Sequence, residues 1–168
     1  IALARLIKTR QPKLYDYVLH HRDKRSVLAQ LDIAGMKPVL HVSGMFGARR
    51  HNIALVVPLA AHPVNKNEII CFDLGANPQM LFDLAVEQLQ ELLYTRTEDL
   101  PEGTPRLGLK SIHINRCPIV LTPKMADPAT AQRLGISGEQ CRQHLEALRG
   151  YRAQDTAGFT AKVQAIYG

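Results

Sequence analysis

The feature that most constrains the fold of this chain is a change in hydrophobic period near residue 38. Residues 1–37 carry apolar side chains three and four positions apart, which is the spacing of amphipathic helices. Between residues 39 and 74, short apolar runs alternate with turns rich in Gly, Pro and Asn, and this pattern is typical of a strand meander. Helical spacing returns briefly at residues 86–93 and again after residue 126. The pattern predicts a small β-barrel or meander with helices at both ends of the chain, an α+β arrangement.

Start and stop signals place the helices more closely. The first helix lacks a capping residue before its apolar face, so we expect the chain to be a piece of a longer protein. Pro12 ends this helix, because the residue before a proline avoids the helical region. Gly135 and Gly150 are predicted to end two later helices. The first apolar face comprises Ile1, Leu3, Leu6 and Ile7, and further helices are predicted at 13–21, 24–31, 86–93, 127–135, 138–150 and 156–166.

Three strands are predicted to form the meander, and one of them contains a proline. Pro58 lies inside the apolar run 53–61. Because proline has no N–H to donate to a neighbouring strand, this run is expected to be an edge strand or to carry a bulge. The other strands of the meander are predicted at 39–43 and 68–74, with two more at 107–115 and 118–121.

Composition limits the class of protein. The length of 168 residues suits one domain, with or without a short appendage. No apolar run reaches the 18 or more residues of a membrane span, so no membrane partner is predicted. Three cysteines are too few, and odd in number, for a disulfide framework, which favours a reducing cytoplasm.

A search for catalytic or metal-binding residues finds none. No Cys-x-x-Cys, His-Glu-x-x-His, nucleophile elbow or phosphate loop occurs. His113 and Cys117 are four residues apart without a second ligand pair, and we interpret them as a strand side chain and a core thiol. The acidic residues between 83 and 102 are interpreted as a solvated surface. The sequence therefore predicts no catalytic residue, no metal site and no cofactor in this chain.

Charge is distributed unevenly along the chain. Residues 1–50 carry ten Lys and Arg against three Asp and Glu, and residues 106–168 carry nine against four. Residues 51–105 are acidic, with two basic and eight acidic side chains. If the two basic segments meet in the fold, they form a face that attracts phosphate or carboxylate partners. The alternative is that these cations only solvate helix surfaces.

Several motifs, taken in order, resemble those of one known family. The motifs are Lys8–Pro12, Met36–Pro38 followed by His41–Ala48, His113–Asn115 before Cys117–Pro118, and Arg133–Ile136. Together they resemble the bacterial exonuclease I family, whose members digest single-stranded DNA in the 3′→5′ direction. The resemblance covers nearly all of the chain.

The resemblance implies a fold, a domain organisation and a role. It implies an SH3-like β-barrel with flanking helices, an accessory domain of a DNA exonuclease that acts in repair and recombination. Residues 1–10 would end the last helix of the exonuclease domain, 11–160 would form the SH3-like domain, and 161–168 would begin a linker to a C-terminal helical domain. The catalytic residues and Mg²⁺ would belong to the exonuclease domain, so this chain alone is expected to be inactive.

The resemblance also implies residues that contact single-stranded DNA. Lys24, Asn67, Lys110 and Asn115 match the family's DNA contacts. Lysines neutralise phosphates and asparagines hydrogen-bond phosphate or sugar, so such contacts do not depend on base sequence. Strict strand alternation would put Lys110 and Asn115 on opposite faces, unless Asn115 lies beyond the strand end or after a bulge.

A second implied partner is the acidic C-terminal tail of the single-strand-binding protein. Tyr17, Lys37 and Arg149 match the positions that bind it. Thr122 and Asp127 stand where family members can have Gln and Arg, and these departures are expected to weaken the tail site. An alternative function remains open, in which the chain is an interaction module for an acidic peptide and has little DNA affinity of its own.

Overall fold

The computed structural model describes residues 2–168, apart from the side chain of Thr97, so the prediction for Ile1 lies outside the described residues. Within them, helices come first, strands follow, and helices return at the end of the chain. The strands are β1 (Val39–Val42), β2 (Ile53–Ala61), β3 (Glu68–Asp73), β4 (Leu109–His113) and β5 (Ile119–Leu121). The helices are α1 (Ala2–Arg10), α2 (Pro12–His20), α3 (Lys24–Gln30), α4 (Gln79–Asp83), α5 (Val86–Tyr94), α6 (Pro128–Arg133), α7 (Gly138–Gln154) and α8 (Thr156–Ala165).

All five strands form one antiparallel sheet in the order β4-β3-β2-β1-β5. The first four strands are consecutive neighbours, which confirms the predicted meander, and β5 returns to pair with β1. The sheet curls into a half-barrel. The predicted α+β class and SH3-like architecture are therefore confirmed.

The two faces of the sheet are covered by different helices. Residues 69–72 of β3 alternate between the faces, so Ile70 and Phe72 join one apolar cluster while Ile69 and Cys71 join the other. Because both faces are covered, this strand is apolar without interruption. We call the two sides the α8 face and the α3 face. The α8 face includes Leu109, Leu148, Phe159 and Val163, and the α3 face includes Val27, Leu31, Phe46 and Ile112.

The proline in β2 marks a bulge and not an edge. β2 lies between β1 and β3, so the edge-strand alternative is wrong. The register between β2 and β3 shifts between Pro58 and Ala60, which confirms the bulge alternative. The residue left without a ladder partner is Leu59, directly after the proline, and prolines inside a sheet are confined to such bulges.

Two helical predictions differ from the structure. The prediction that Gly150 ends its helix is wrong, because α7 continues to Gln154. Tyr151 lies in this last turn and packs against Phe82, with ring centroids 4.3 Å apart, so tertiary contact outweighs the low helix propensity of glycine. The short helix α4 was not predicted, and its buried Leu81 belongs to the cluster on the α8 face.

Candidate functional site

Three of the predicted DNA contacts meet at one corner of the sheet. Asp23 caps α3 by accepting hydrogen bonds from the backbone N–H groups of Arg25 and Ser26, and this places Lys24 at the start of the helix. Lys24 Nζ donates to Asn67 Oδ1 at 2.7 Å. The backbone carbonyl of Asn67 accepts a hydrogen bond from the N–H of Ile114 at 2.9 Å, so Asn115 follows directly at this corner.

Lys110 lies at the other end of β4, on the α3 face. It pairs with Cys71 of β3, and its side chain shares a face with Ile112. β4 ends at His113, which is a strand side chain as predicted, and Asn115 lies in the turn beyond. Strand alternation therefore does not place Asn115 on the face opposite Lys110.

A cleft of about 280 Å³ opens beside Lys110. Its wall holds three cations, Arg50, Arg106 and Lys110, and one carboxylate, Asp73, which is only 4% exposed. Arg50 donates to both carboxylate oxygens of Asp73, with Nη2 to Oδ1 at 3.0 Å. These hydrogen bonds raise the pKa of the Arg50 guanidinium. Because Asp73 neutralises Arg50, the positive charge of the cleft comes from Arg106 and Lys110.

Lys110 is held in a setting that disfavours its charge. Its side chain is half-buried, and burial lowers the pKa of its ammonium group, with a further contribution from the neighbouring charge of Arg106. Within residues 2–168, Lys110 Nζ makes no hydrogen bond or salt bridge to another side chain. An anion entering the cleft would supply the missing partner.

Arg50 and Arg106 were not predicted as site residues. Arg50 follows Arg49 in a loop whose Gly and cation content was visible in the sequence, but its partner lies 23 residues away. The sequence did contain a signal for the Arg50–Asp73 pair, at the end of the buried strand β3. Asp73 ends an almost continuous apolar run, and a carboxylate buried at such a position requires a cation.

The residues predicted to bind an acidic tail fall into two places. Lys37 Nζ lies 3.1 Å from Asp32, and Arg149 Nη2 donates to the carbonyls of Met36 at 3.0 Å and Gly35 at 3.3 Å. The loop 32–37 therefore brings Lys37 and Arg149 together. Tyr17 is on α2, where its hydroxyl donates to Gln30. In the described part of the chain, no hydrogen bond joins Tyr17 to either cation.

The same loop is also held by Arg152, which was not predicted. Arg152 donates to the carbonyls of Ile33 at 2.8 Å and Ala34 at 2.7 Å. Arg149 and Arg152 thus bind four consecutive carbonyl groups of the loop. This structural role occupies part of each guanidinium, and only its remaining N–H groups face a possible anionic partner.

Thr122 and Asp127 are the two departures from the family pattern, and Thr122 lies near Tyr17. Burial raises the pKa of the Tyr17 hydroxyl, and the neighbouring backbone of Thr122 opposes this shift with a smaller effect. Asp127 caps α6 by accepting from the N–H of Thr130 at 2.7 Å, which confirms its predicted cap. That hydrogen bond lowers the pKa of the Asp127 carboxyl group.

Cysteine and metal chemistry add no site. The interpretation of Cys117 as a core thiol is wrong, because Cys117 is exposed and adopts a positive φ of 48°. Cys71 and Cys141 are the buried thiols. Among residues 2–168, no three His, Cys, Asp or Glu side chains stand close enough to hold a metal ion. No helix in that range combines the length and the apolar character needed to cross a membrane.

Comparison with known proteins gives one consistent result. The family model described as "Exonuclease I SH3-like domain" matches residues 22–168. The exodeoxyribonuclease I of Escherichia coli (strain K12) is 44% identical over 149 residues, which are 89% of this chain and 31% of that protein. The Haemophilus influenzae exodeoxyribonuclease I is 42% identical over 150 residues, with shares of 89% and 32%. The chain spans about a third of the length of these relatives.

Solved structures agree with the sequence relatives. A crystal structure of E. coli exonuclease I in complex with a dT13 oligonucleotide superposes with a TM-score of 0.91 at 41% identity, covering 99% of this chain and 35% of that one. An exonuclease I from Methylocaldum szegediense superposes with a TM-score of 0.90 at 36% identity and the same coverage.

Proposed function

Because this chain belongs to the exonuclease I SH3-like domain family, we propose that it is the accessory domain of an exodeoxyribonuclease I and guides single-stranded DNA. One observation carries the proposal. Lys24, Asn67 and Asn115 meet at the corner where β3 begins and β4 ends, and the unpaired Lys110 lies further along β4.

The chemistry of these side chains suits contact with a DNA backbone. Two ammonium groups neutralise phosphates, and two amides hydrogen-bond phosphate or sugar oxygens. Neither contact distinguishes one base from another. Such a surface holds a strand while allowing it to slide, which is what a clamp for processive digestion requires.

We propose that hydrolysis belongs to the exonuclease domain of the parent protein, with this chain packed between that domain and a C-terminal helical domain. Mg²⁺ does not fit the residues described here, since no suitable group of ligands stands together among residues 2–168. On its own the chain is expected to have no nuclease activity. The proposed setting is the cytoplasm, in DNA repair and recombination.

The domain boundaries proposed from the sequence are adjusted in one respect. Val163 and Ile166 are fully buried in the cluster on the α8 face, together with Phe72. We therefore propose that the SH3-like domain begins after residue 10 and includes α8 to its end, with no linker beginning at residue 161.

Salt dependence tests the DNA proposal. Lys24→Gln combined with Lys110→Gln is expected to reduce the slope of log K against log salt concentration by about 1.4, because each phosphate contact to a single strand contributes roughly 0.7. Binding of a fluorescein-labelled oligo(dT) is measured by anisotropy at several salt concentrations. Lys13→Gln with Arg133→Gln is the matched control, since it removes two exposed cations elsewhere.

The same measurement separates the alternative function. If the chain is a module for acidic peptides with little DNA affinity, oligo(dT) shows negligible binding at low salt, and the double variant has no slope to change. An equal loss of slope in the Lys13 and Arg133 control would show that net charge alone attracts DNA, and it would contradict the assigned contacts.

We also propose that the acidic C-terminal tail of the single-strand-binding protein binds at Tyr17, Lys37 and Arg149. Lys37 is the most available of the three, with 73% of its side chain exposed. Arg149 lies beside it across the loop 32–37 and keeps part of its guanidinium free. A charge-assisted pair with a carboxylate needs such a cation, and Tyr17 offers an apolar surface. Asp127 is expected to weaken the attraction.

Arg149→Ala is expected to weaken binding of a labelled acidic tail peptide about tenfold, because it removes a hydrogen-bonded cation from the carboxylate. Fluorescence anisotropy with the purified chain measures the effect. Lys37→Gln is the second variant, since the exposed Lys37–Asp32 ion pair should contribute little to stability and the loop remains held by Arg149 and Arg152. Arg133→Ala is the control. Unchanged affinity in both Arg149→Ala and Lys37→Gln would sink the assignment of the tail site.

A further inference from the structure

We propose that Tyr94, Arg106 and Lys110 form an additional subsite for one nucleotide of single-stranded DNA, with Tyr94 stacking on the base and the two cations holding the adjoining phosphate. The inference rests on the proposed function, because it extends the DNA path from the Lys24 corner along β4. Neither Tyr94 nor Arg106 was implied by the family resemblance.

Tyr94 is unusually exposed for an aromatic residue in this chain. It ends α5 with 65% of its surface exposed, and among residues 2–168 it is the one Phe or Tyr that is mostly exposed. The preceding Leu92 and Leu93 are partly buried and hold the end of the helix. An exposed aromatic ring beside cations is the arrangement on which single-stranded nucleic acids stack their bases.

The two cations stand next to this ring. Arg106 donates through Nη1 to the carbonyl of Thr95 at 2.7 Å, which ties its guanidinium to the residue after Tyr94. Tyr94, Arg106 and Lys110 line one cleft of about 210 Å³. Arg106 and Lys110 also line the cleft of about 280 Å³ that contains Arg50, so the two clefts are neighbours.

Among residues 2–168, no carboxylate forms an ion pair with Arg106 or Lys110. Asp73 is fully engaged by Arg50. Glu98 lies 3.7 Å from Arg96, and this exposed pair is close to neutral in sum. Lys110 has no partner within the described residues, and desolvation together with the charge of Arg106 makes its ammonium group costly to maintain without one. A phosphate placed between Arg106 and Lys110 would remove that cost.

An oligonucleotide fits this surface better than an acidic peptide does. Met45, which is 66% exposed, lines both clefts together with the cations and adds apolar surface to them. A base needs a flat apolar contact next to its phosphate, and this cleft is lined by both an aromatic ring and two cations. A single strand that contacts Lys110 already enters it.

Abasic DNA provides the sharpest test, because it keeps phosphates and removes bases. Tyr94→Ala is expected to weaken binding of oligo(dT) to the chain about tenfold and to leave binding of an abasic oligonucleotide of equal length unchanged. Tyr94→Phe keeps the ring and should stay within about twofold of the unmodified chain for both ligands. Arg106→Gln should weaken both ligands equally, with Arg133→Gln as its control.

The outcomes distinguish this inference from the proposed function. Equal losses for oligo(dT) and abasic DNA in Tyr94→Ala, or no loss in either, would overturn the stacking subsite while the Lys24 and Lys110 result stands. Absence of any oligo(dT) binding would overturn both. A Tyr94-dependent affinity for an acidic peptide, without a Tyr94 effect on oligo(dT), would overturn the assignment to DNA. Thermal unfolding of each variant verifies that it is folded.

Discussion

Replacing Phe72 by alanine is expected to lower the free energy of unfolding by about 4 kcal/mol, the largest effect we predict for a single substitution. Phe72 is fully buried in β3, where it pairs with Val57 of β2 and Leu109 of β4. Its ring lies in the cluster on the α8 face, so its removal takes contacts from helices as well as strands. Because β3 is hydrogen-bonded to a strand on each side, its backbone cannot move to fill the cavity that the missing ring would leave.

Gly108 provides a second test of the packing around Phe72, because it lies directly against the ring. A Cβ atom built at Gly108 would lie 2.6 Å from Cζ of Phe72 and 2.8 Å from Cβ of Ala76. Gly108→Ala alone is therefore expected to cost roughly 1–3 kcal/mol, because the buried ring cannot move away cheaply. In the Phe72→Ala background the added methyl group has more room, and its cost should fall by about 1 kcal/mol.

Urea unfolding followed by circular dichroism measures these free energies. Phe72→Leu is the control, with an expected loss of about 1–1.5 kcal/mol, since it keeps most of the apolar volume. A loss in Phe72→Ala no larger than that in Phe72→Leu would contradict the tight packing that the structure shows. Additive effects of Gly108→Ala and Phe72→Ala would contradict their direct contact.

Replacing Arg50 by methionine is expected to cost about 3 kcal/mol, because it leaves the Asp73 carboxylate buried without its cation. Asp73 is 4% exposed, and the N–H of Gly75 would remain as a donor to Oδ1 at 2.9 Å. Methionine preserves the apolar part of the arginine side chain, so the measured loss reports mainly on the charge and its hydrogen bonds.

Two comparisons separate the ion pair from other effects. Arg142→Met breaks exposed pairs with Glu139 and Glu146 on α7 and should cost less than about 1 kcal/mol. Arg50→Met combined with Asp73→Asn should recover part of the stability, because the amide is neutral and its oxygen still accepts from Gly75. The test is denaturant unfolding of all three variants. If Arg50→Met costs no more than Arg142→Met, the buried pair does not support the cleft.

The predictions that succeeded from sequence rest on interactions between near neighbours. The caps at Asp23 and Asp127 are formed with N–H groups two or three residues away, so their motifs are sufficient to identify them. The short apolar runs and the turns between them likewise predicted the meander, since each run and each turn is a local feature of the sequence. The proposed DNA contacts came from the resemblance to a family and stay a prediction, and periodicity alone would not have selected Lys24 or Asn67.

The errors arose where a residue's local preference met a tertiary constraint. Gly150 has a low helix propensity, yet the packing of Tyr151 on Phe82 continues α7 through it. Cysteine is a residue type that is usually buried, but Cys117 lies in a turn with positive φ, where its side chain is exposed. Local propensities are worth about 1 kcal/mol or less per residue, and packing readily exceeds that amount.

By itself, the sequence determined the α+β class, the order of helices and strands and the family, because these depend on patterns read along the chain. The tertiary structure alone decided which partner each cation meets. Arg50 reaches Asp73 across 23 residues, Lys24 reaches Asn67 across 43, and Arg149 reaches the carbonyl of Met36 across 113. It also placed Tyr94 beside Arg106 and Lys110. Side chains so far apart along the chain become neighbours only when the sheet closes and both of its faces are buried, and no local pattern encodes those distances.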